Sequence, residues 1–119
     1  MTVPVRVSVV TSVFDPRLGE LVACLGSVDA QADVEWEHIV VDDASTNPAI
    51  RDVLRARRSA RRTVIERPVN GGIVAATNDA IARASGEFVA LLDHDDVLTP
   101  NALSTMMRAV DDHPDIVTR

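Results

Sequence analysis

The chain has 119 residues, the size of one compact domain, and 46% of them are hydrophobic, so a disordered chain is excluded. A net charge of −6 argues against a general surface for nucleic acid or for anionic membranes. All twelve basic residues are arginine and Cys24 is the only cysteine. This composition excludes intrachain disulfides, cysteine-based zinc sites and chemistry that needs a lysine.

The first predicted elements are a strand and a helix. Residues 5–10 are rich in valine and predict a buried strand that ends at Thr11. Asp15 followed by Pro16 is typical of a helix cap with proline in the first turn. The apolar stripe of this helix consists of Leu18, Leu21, Val22, Leu25 and Val28. Cys24 falls within the stripe, which favours a buried thiol over a nucleophile.

A second strand and a second helix follow. Residues 36–41 predict the strand, and Trp36 and His38 are interpreted as packing residues. Asn47 and Pro48 predict the start of the helix. A basic run, interpreted as a solvated outer face, consists of Arg51, Arg55, Arg57, Arg58, Arg61 and Arg62.

The third and fourth strands enclose a helix with a small-residue face. Residues 63–67 predict the third strand, and the Pro-Val-Asn-Gly-Gly sequence at 68–72 predicts a turn. Alanines within residues 73–84 permit close packing of a helix on a sheet. Gly86 stands where a left-handed helix cap is expected. Residues 88–92 are the most apolar of the predicted strands.

Alternating strands and helices predict the fold of the whole chain. Thr99 and Pro100 predict the cap of a last helix, and a further apolar segment begins at Ile116. We expect one α/β domain over residues 1–119, Rossmann-like, with three α/β/α layers and a mainly parallel sheet. Right-handed crossovers predict the strand order 3-2-1-4, with strands one and four as central neighbours. Because the sequence stops at Arg119 within an apolar segment, we expect an uncovered edge and self-association.

Acidic residues concentrate where the strands end. Ligands of open parallel sheets bind beyond the carboxyl ends of the strands, so these side chains are expected on one rim. The rim would carry Asp15, Asp42, Asp43, Asp93, Asp95 and Asp96. Carboxylates that lie so close together repel one another unless cations or hydrogen bonds offset the repulsion. The cluster therefore favours a divalent metal together with an amide-bearing ligand. Helix capping is the alternative for Asp15 and Asp96.

Five motifs carry a family resemblance. They are VSVV at 7–10, IVVDDAST at 39–46, NGG at 70–72, SGEF at 85–88 and LLDHDD at 91–96. In order and spacing they resemble the N-terminal, nucleotide-sugar-binding part of family 2 glycosyltransferases, which have the GT-A fold. The similarity spans nearly the whole chain. Each motif is weak alone, and together they are specific.

The resemblance implies a nucleotide site. Its residues would be Ser12, Val13, Phe14, Asp42, Asp43, Asn70, Gly72, Asp93 and His94. Asp43, with Asp42 as the second choice, would accept a hydrogen bond from the base, which suits the imide N–H of uracil or thymine and also guanine. Asn70 and Gly72 would shape the loop near the base or ribose, where glycine allows close backbone approach. A simple turn into a helix is the equal alternative for that loop.

The resemblance also implies a metal site. Asp95 would bind the metal directly, and Asp93 would reach the ribose or a metal-bound water. Hard oxygen ligands on one short loop suit Mg²⁺ or Mn²⁺, which keep positions open for two phosphate oxygens. The metal would stabilise charge on the departing diphosphate. His94, between the carboxylates, fits a hard-metal site only loosely.

The family reaction is displacement at the anomeric carbon of a nucleotide-diphosphate sugar by a hydroxyl of a saccharide or lipid-linked acceptor, usually with inversion. It needs a general base, normally a carboxylate in the second half of the fold, which we expect beyond Arg119. No catalytic residue is therefore assigned within the chain, which is expected to be the donor-binding part of an enzyme of cell-envelope polysaccharide synthesis. The alternative is a non-catalytic remnant or nucleotide-binding module of a truncated or split glycosyltransferase.

The amino-terminal segment indicates where in the cell the protein is expected. Residues 1–10 carry Pro4 and Arg6 within a short apolar run and match neither a signal peptide nor a membrane span. A cytoplasmic protein is the expectation, with a peripheral location at the inner face of the membrane as the alternative.

Other phosphate-handling classes fit the sequence less well. Phosphate-transferring aspartate hydrolases carry a similar Asp-x-Asp motif but place it early, and only a short segment follows Asp96. A phospho-receiver domain needs a lysine. No GxGxxG follows the first strand and no G-K-[ST] occurs, which argues against a dinucleotide fold and excludes a P-loop.

Overall fold

The computed structural model describes residues 4–113, in which strands and helices alternate. The strands are β1 (Val7–Val13), β2 (Trp36–Asp42), β3 (Arg62–Glu66) and β4 (Phe88–Leu91). The helices are α1 (Leu18–Asp29), α2 (Pro48–Ala56), α3 (Ile73–Arg83) and α4 (Ala102–Asp112). The predicted apolar segment at Ile116 lies outside the described residues.

The four strands form one parallel sheet in the order β3-β2-β1-β4. This confirms the predicted order and makes β1 and β4 neighbours, with Val10 opposite Leu91. The prediction that both would be central was wrong for β4, which is an edge strand of the described sheet. Leu91 and Val89 are correspondingly exposed, by 68% and 44%.

Helices cover both faces of the sheet, which gives the three predicted layers. On one face, Val10, Ile39 and Val41 pack against Ala76 and Ala80 of α3. The alanines bring the helix close to the strands, as the sequence predicted. Helices α1, α2 and α4 cover the opposite face.

Polar side chains divide the core on that opposite face. One apolar cluster is formed by Val7, Val9, Cys24, Val28, Trp36, Leu92, Leu103 and Met107. The other is formed by Val13, Leu21, Leu25, Val40, Ile50, Leu54 and Val64. Thr11, His38 and Arg62 lie between them on β1, β2 and β3, and all three are buried. We call these three residues the polar row.

Arg62 corrects the prediction of a uniformly solvated basic run. Arg51, Arg55 and Arg58 are half exposed and form ion pairs with Glu66. Arg62 is only 3% exposed, because β3 begins at this residue and turns its side chain into the core.

The last helix is capped differently from the prediction. It begins at Ala102 after Asn101 rather than at Thr99 and Pro100. The carboxamide of Gln31 accepts the backbone N–H of Leu103 at 3.0 Å and donates to the Thr99 carbonyl at 2.6 Å. A side chain from the loop after α1 therefore satisfies groups that a local cap was expected to satisfy.

Gly86 has a different role from the predicted left-handed cap. Helix α3 ends at Arg83, and Gly86 does not have a positive φ. A Cβ on Gly86 would lie 2.6 Å from Ser8 Oγ and 2.7 Å from the backbone nitrogen of Ser8. Glycine is required here because the segment before β4 runs directly against β1.

Within residues 4–113, no helix combines the length and the hydrophobicity needed to cross a bilayer.

Candidate functional site

A cavity of about 330 Å³ opens at the carboxyl ends of β1 and β2. It is lined by Ser12, Val13, Phe14, Asp43, Asn70, Gly72, Ile73, Ala76 and His94. The structure thus brings together all the residues assigned to the nucleotide site except Asp42 and Asp93. Ile73 and Ala76 also line the cavity, although the sequence analysis did not assign them to the site. They do so because the first turn of α3 forms one wall of the cavity.

Asp43 holds the glycine loop beside the cavity. Its Oδ1 accepts the N–H of Gly71 at 2.9 Å, and its Oδ2 accepts the N–H of Gly72 at 2.8 Å. The Nε of Arg67 lies 2.9 Å from Oδ1 as an ion pair, without the alignment of a hydrogen bond. Asn70 Nδ2 donates to the Asp43 carbonyl at 3.2 Å.

These contacts set the charge of Asp43. Burial acts to raise its pKa, but the two glycine N–H groups and the Arg67 guanidinium outweigh burial and lower the pKa below the ordinary value of 3.8. Asp43 is therefore a carboxylate, and it is buried. Since a carboxylate has about four acceptor positions, Oδ2 keeps one for a ligand.

The geometry of the loop requires glycine at position 72 and leaves little room for a side chain at position 71. Gly72 has a φ of 92°, which side chains of L-residues rarely adopt. A Cβ on Gly71 would lie 2.5 Å from Arg67 Nη2. The NGG motif therefore permits the turn that brings both N–H groups onto Asp43.

Asp42 lies beyond the cavity. Neighbouring residues at a strand end point to opposite sides, and the Asp42 carboxylate accepts the N–H of Ser45 at 3.1 Å. It lines a separate polar cleft of about 460 Å³ with Arg51 and Arg55 among its walls. Of the two carboxylates, Asp43 therefore lines the cavity and Asp42 does not.

The sequence predicted that Asp15 would cap α1, and this prediction was wrong. Helix α1 begins at Leu18 and has no side-chain cap. The Asp15 carboxylate instead accepts hydrogen bonds from the Thr46 hydroxyl and from the N–H groups of Thr46 and Asn47, which lower its pKa. Its own N–H donates to Ser45 Oγ at 2.9 Å. Asp15 therefore joins the loop after β1 to the start of α2.

The loop after β4 carries the acidic group expected to hold a metal. Carboxylate oxygens of Asp93, Asp95 and Asp96 lie within 4.8 Å of one another, and all three residues are exposed. Asp96 does not cap α4, which begins six residues later at Ala102. Three exposed carboxylates form a hard-oxygen donor set that fits Mg²⁺ or Mn²⁺.

Glu20 is a candidate metal ligand that the sequence analysis missed. Its carboxylate groups with His94 and Asp95, and the three ligand atoms lie within 4.8 Å of one another. Glu20 is in the first turn of α1, far from the acidic motif in sequence. In the sequence, Glu20 is recognisable only as an acidic residue at the start of the helix after β1. It could be assigned to the acidic loop only once β1 and β4 were known to be neighbours.

A cavity beside an acidic loop, at the carboxyl edge of a parallel sheet, is the arrangement of a nucleotide-binding α/β protein. Residues 8–118 match the model of the family described as Glycosyl transferase family 2. The chain belongs to this family, and its fold is the GT-A fold, as the motifs predicted.

Relatives and solved structures agree with this assignment. The uncharacterized protein y4gI of Sinorhizobium fredii is 43% identical over 111 residues, which are 92% of this chain and 12% of y4gI. The O-antigen biosynthesis protein RfbC of Myxococcus xanthus is 38% identical over 112 residues, 92% of this chain and 9% of RfbC. The crystal structure of S. aureus TarS 1-349 in complex with UDP-GlcNAc superposes with a TM-score of 0.81 at 28% identity, covering 92% of this chain and 32% of that one. The chain therefore spans only a part of each protein.

Proposed function

We propose that this chain is the donor-binding domain of a glycosyltransferase and binds a nucleotide-diphosphate sugar. The base would occupy the cavity between Phe14 and Asp43, and the diphosphate would extend toward Asp93 and Asp95. The observation that carries this proposal is the cavity itself, whose lining includes His94, a residue that also groups with Asp95 of the acidic loop. The UDP-GlcNAc complex of TarS, a structure with the same fold, supports this class of ligand.

Asp43 favours uracil or thymine over guanine. One acceptor position remains on Oδ2 after the contacts with Gly71, Gly72 and Arg67. An imide base presents a single N–H between two carbonyl groups and needs one acceptor. Guanine presents two adjacent donors and would need both carboxylate oxygens. The count of acceptors therefore supports a uridine or thymidine donor.

Phe14 supplies an apolar surface for the base. Its side chain is 48% exposed at the cavity, and the side chain of Ile73 across the cavity is 66% exposed. An aromatic ring so placed can stack on a base, which contributes about 1–3 kcal/mol in single-stranded nucleic-acid complexes. Phe14 has no hydroxyl, so its contribution is stacking alone.

Asp95 and Asp93 are proposed to hold Mg²⁺ or Mn²⁺, with Glu20 and His94 on the adjoining side of Asp95. When bound, the ion would stabilise charge on the diphosphate leaving group. The chain's own contribution is to hold the carboxylates within 4.8 Å of one another.

The sugar is proposed to pass, with inversion, to a hydroxyl of a saccharide or lipid-linked acceptor. The name of RfbC, an O-antigen biosynthesis protein, supports a role in cell-envelope polysaccharide synthesis. The acceptor-side base is assigned to a part of the enzyme other than the donor site.

Calorimetry tests the donor proposal. The chain is titrated with UDP, dTDP and GDP, each in Mn²⁺ and in EDTA. We expect UDP and dTDP to bind more tightly than GDP, and Mn²⁺ to strengthen binding several-fold. Equal affinities in Mn²⁺ and EDTA would contradict the metal role, and no binding of any nucleotide would contradict the donor site. An assay of donor hydrolysis on the same samples separates an enzyme from a nucleotide-binding module.

A further inference from the structure

Arg67 is the counter-charge of Asp43, and it lies outside the cavity. Its guanidinium Nε is 2.9 Å from Asp43 Oδ1, and its Nη1 pairs with the carboxylate of Asp79 on α3. Its backbone N–H donates to the Asp42 carbonyl at 2.8 Å, which fixes the point where the side chain begins. Because Arg67 lines the polar cleft rather than the cavity, Asp43 has a cation on one side and the cavity on the other.

The ion pair between Arg67 and Asp43 is shielded from water. The Nε atom of Arg67 is inaccessible to solvent, and the Asp43 side chain is 4% exposed. Water and salt therefore screen this pair less than they screen a pair on the surface. Removing one partner of a buried pair leaves the other charge uncompensated, which is strongly unfavourable. The ionised state of Asp43 consequently depends on Arg67.

The guanidinium of Arg67 is itself held from two sides. On one side, the Asp79 carboxylate pairs with Nη1. On the other side, a Cβ on Gly71 would come within 2.5 Å of Nη2, so the glycine loop packs directly against the guanidinium. Arg67 therefore lies between α3, whose first turn forms a wall of the cavity, and the loop that donates two N–H groups to Asp43.

We propose that Arg67 is a positioning residue for recognition of the base, and that Asp79 holds Arg67 in place. The ion pair with Oδ1 fixes the carboxylate from outside the cavity and leaves an acceptor position on Oδ2 for the imide N–H of a base. The inference rests on the proposed donor site for its effect on nucleotide affinity, while its effect on Asp43 can be measured without a ligand. It gives a role in the donor site to two residues that do not line the cavity.

Charged and titratable groups approach Asp43 from several elements. Arg67 faces it from the segment after β3, Asp79 follows behind Arg67 on α3, and His94 lines the same cavity. The neighbouring Asp42 faces the polar cleft. Burial acts to raise the pKa of Asp43, whereas the two glycine N–H groups and Arg67 lower it. Loss of the guanidinium should therefore raise this pKa, an effect that an arginine with only a space-filling role would not have.

Arg67→Met tests the proposal in the full 119-residue chain, because methionine keeps an apolar stem and removes the guanidinium. Arg55→Met is the matched control, since Arg55 lines the same polar cleft but pairs with Glu66. The first readout is the pKa of Asp43, measured by NMR at its carboxyl carbon without nucleotide. We expect a higher pKa in Arg67→Met than in the wild type, and the wild-type pKa in Arg55→Met. An unchanged pKa in a folded Arg67→Met protein would overturn the proposal.

The second readout is the preference for UDP over N3-methyl-UDP, a nucleotide whose base has no imide N–H to donate. Calorimetry in Mn²⁺ measures both affinities, and we expect the wild type to prefer UDP. Arg67→Met should reduce this preference about fivefold, the effect of one net hydrogen bond, by weakening the binding of UDP. Arg55→Met should keep the wild-type preference. A wild-type preference in Arg67→Met would equally refute the positioning role.

Two further results are decided in advance. If the wild type binds neither nucleotide, the donor proposal fails, and the pKa of Asp43 still decides whether Arg67 holds the carboxylate. If Arg67→Met does not fold, Asp79→Asn replaces it, with Asp112→Asn as the control for an equal change of charge. Asp79→Asn should then accelerate exchange of the Arg67 Nε–H proton with water and lower the preference for UDP. Equal exchange rates in the two asparagine variants would overturn the proposal.

Discussion

The carboxylate of Asp15 accepts the backbone N–H of Thr46 at 2.8 Å and the Thr46 hydroxyl at 2.7 Å. The loop after β1 is therefore fixed to the loop before α2. The backbone φ of Asp15 is 42°, an uncommon value for a residue other than glycine. Phe14, which lines the cavity, is the residue immediately before this contact.

Asp15→Ala should weaken UDP binding by about threefold to tenfold, because losing these hydrogen bonds frees the backbone that holds Phe14. Calorimetry in Mn²⁺ measures the affinity, and a urea titration followed by circular dichroism measures stability. Asp15→Asn is the matched control, since its carbonyl oxygen can still accept the N–H groups of Thr46 and Asn47. An alanine variant with wild-type affinity would remove Asp15 from the site.

Asp95→Asn should reduce UDP affinity in Mn²⁺ to the value measured in EDTA, because it removes charge from the proposed direct ligand. In an enzyme that carries this domain, the rate should fall about a thousandfold, equivalent to about 4 kcal/mol of barrier. Asp112→Asn, an equal charge change at the end of α4, is the control and should bind as the wild type does. Retained Mn²⁺ dependence in Asp95→Asn would assign the ion to other residues.

Gly72→Ala should destabilise the fold by about 1–3 kcal/mol, because its φ of 92° is strained for alanine. Gly26→Ala is the control within α1, where a Cβ meets nothing within 4 Å. That variant should gain about 0.4–1 kcal/mol from the reduced freedom of the unfolded chain. Urea denaturation compares them, and a neutral Gly72→Ala would show that the loop can adopt another turn.

Stability should depend on Asp43 at acidic pH. Its folded pKa is below the ordinary 3.8, so its contribution is complete above that value and is lost as pH falls through the folded pKa. The stability difference between wild type and Asp43→Asn should therefore be constant near neutrality and narrow below about pH 4. Denaturation midpoints at several pH values measure this difference. A difference that widens on acidification would contradict a lowered pKa.

The strand order and the cavity could be predicted because they depend on patterns that are local in sequence. Apolar runs define the strands, and alternation with helices leaves few right-handed topologies. Acidic and polar residues at or soon after the carboxyl ends of the strands then have to meet at one edge. Ser12, Phe14, Asp43 and Asn70 reach the same cavity for this reason.

The side-chain partners could not be predicted, because they join residues far apart in sequence. Asp15 was expected to cap the next helix, and it contacts Thr46 instead. Gln31 carried no pattern, yet it caps α4. Glu20 approaches Asp95 only because β1 and β4 are adjacent. In each case the partner of the side chain depends on how close two segments lie in the folded chain. Residue propensities and hydrophobic periodicity contain no information on that distance.

The contact between Asp15 and Thr46 has a consequence for protein engineering. Loops on the rim of a sheet are commonly exchanged between related enzymes one at a time to alter specificity. Here the segment around Asp15 supplies the acceptors for the segment of Thr46 and Asn47. Grafting either segment alone would leave donors or acceptors unmatched. The two segments form a single module for recombination, and sequence changes in one are expected to covary with changes in the other.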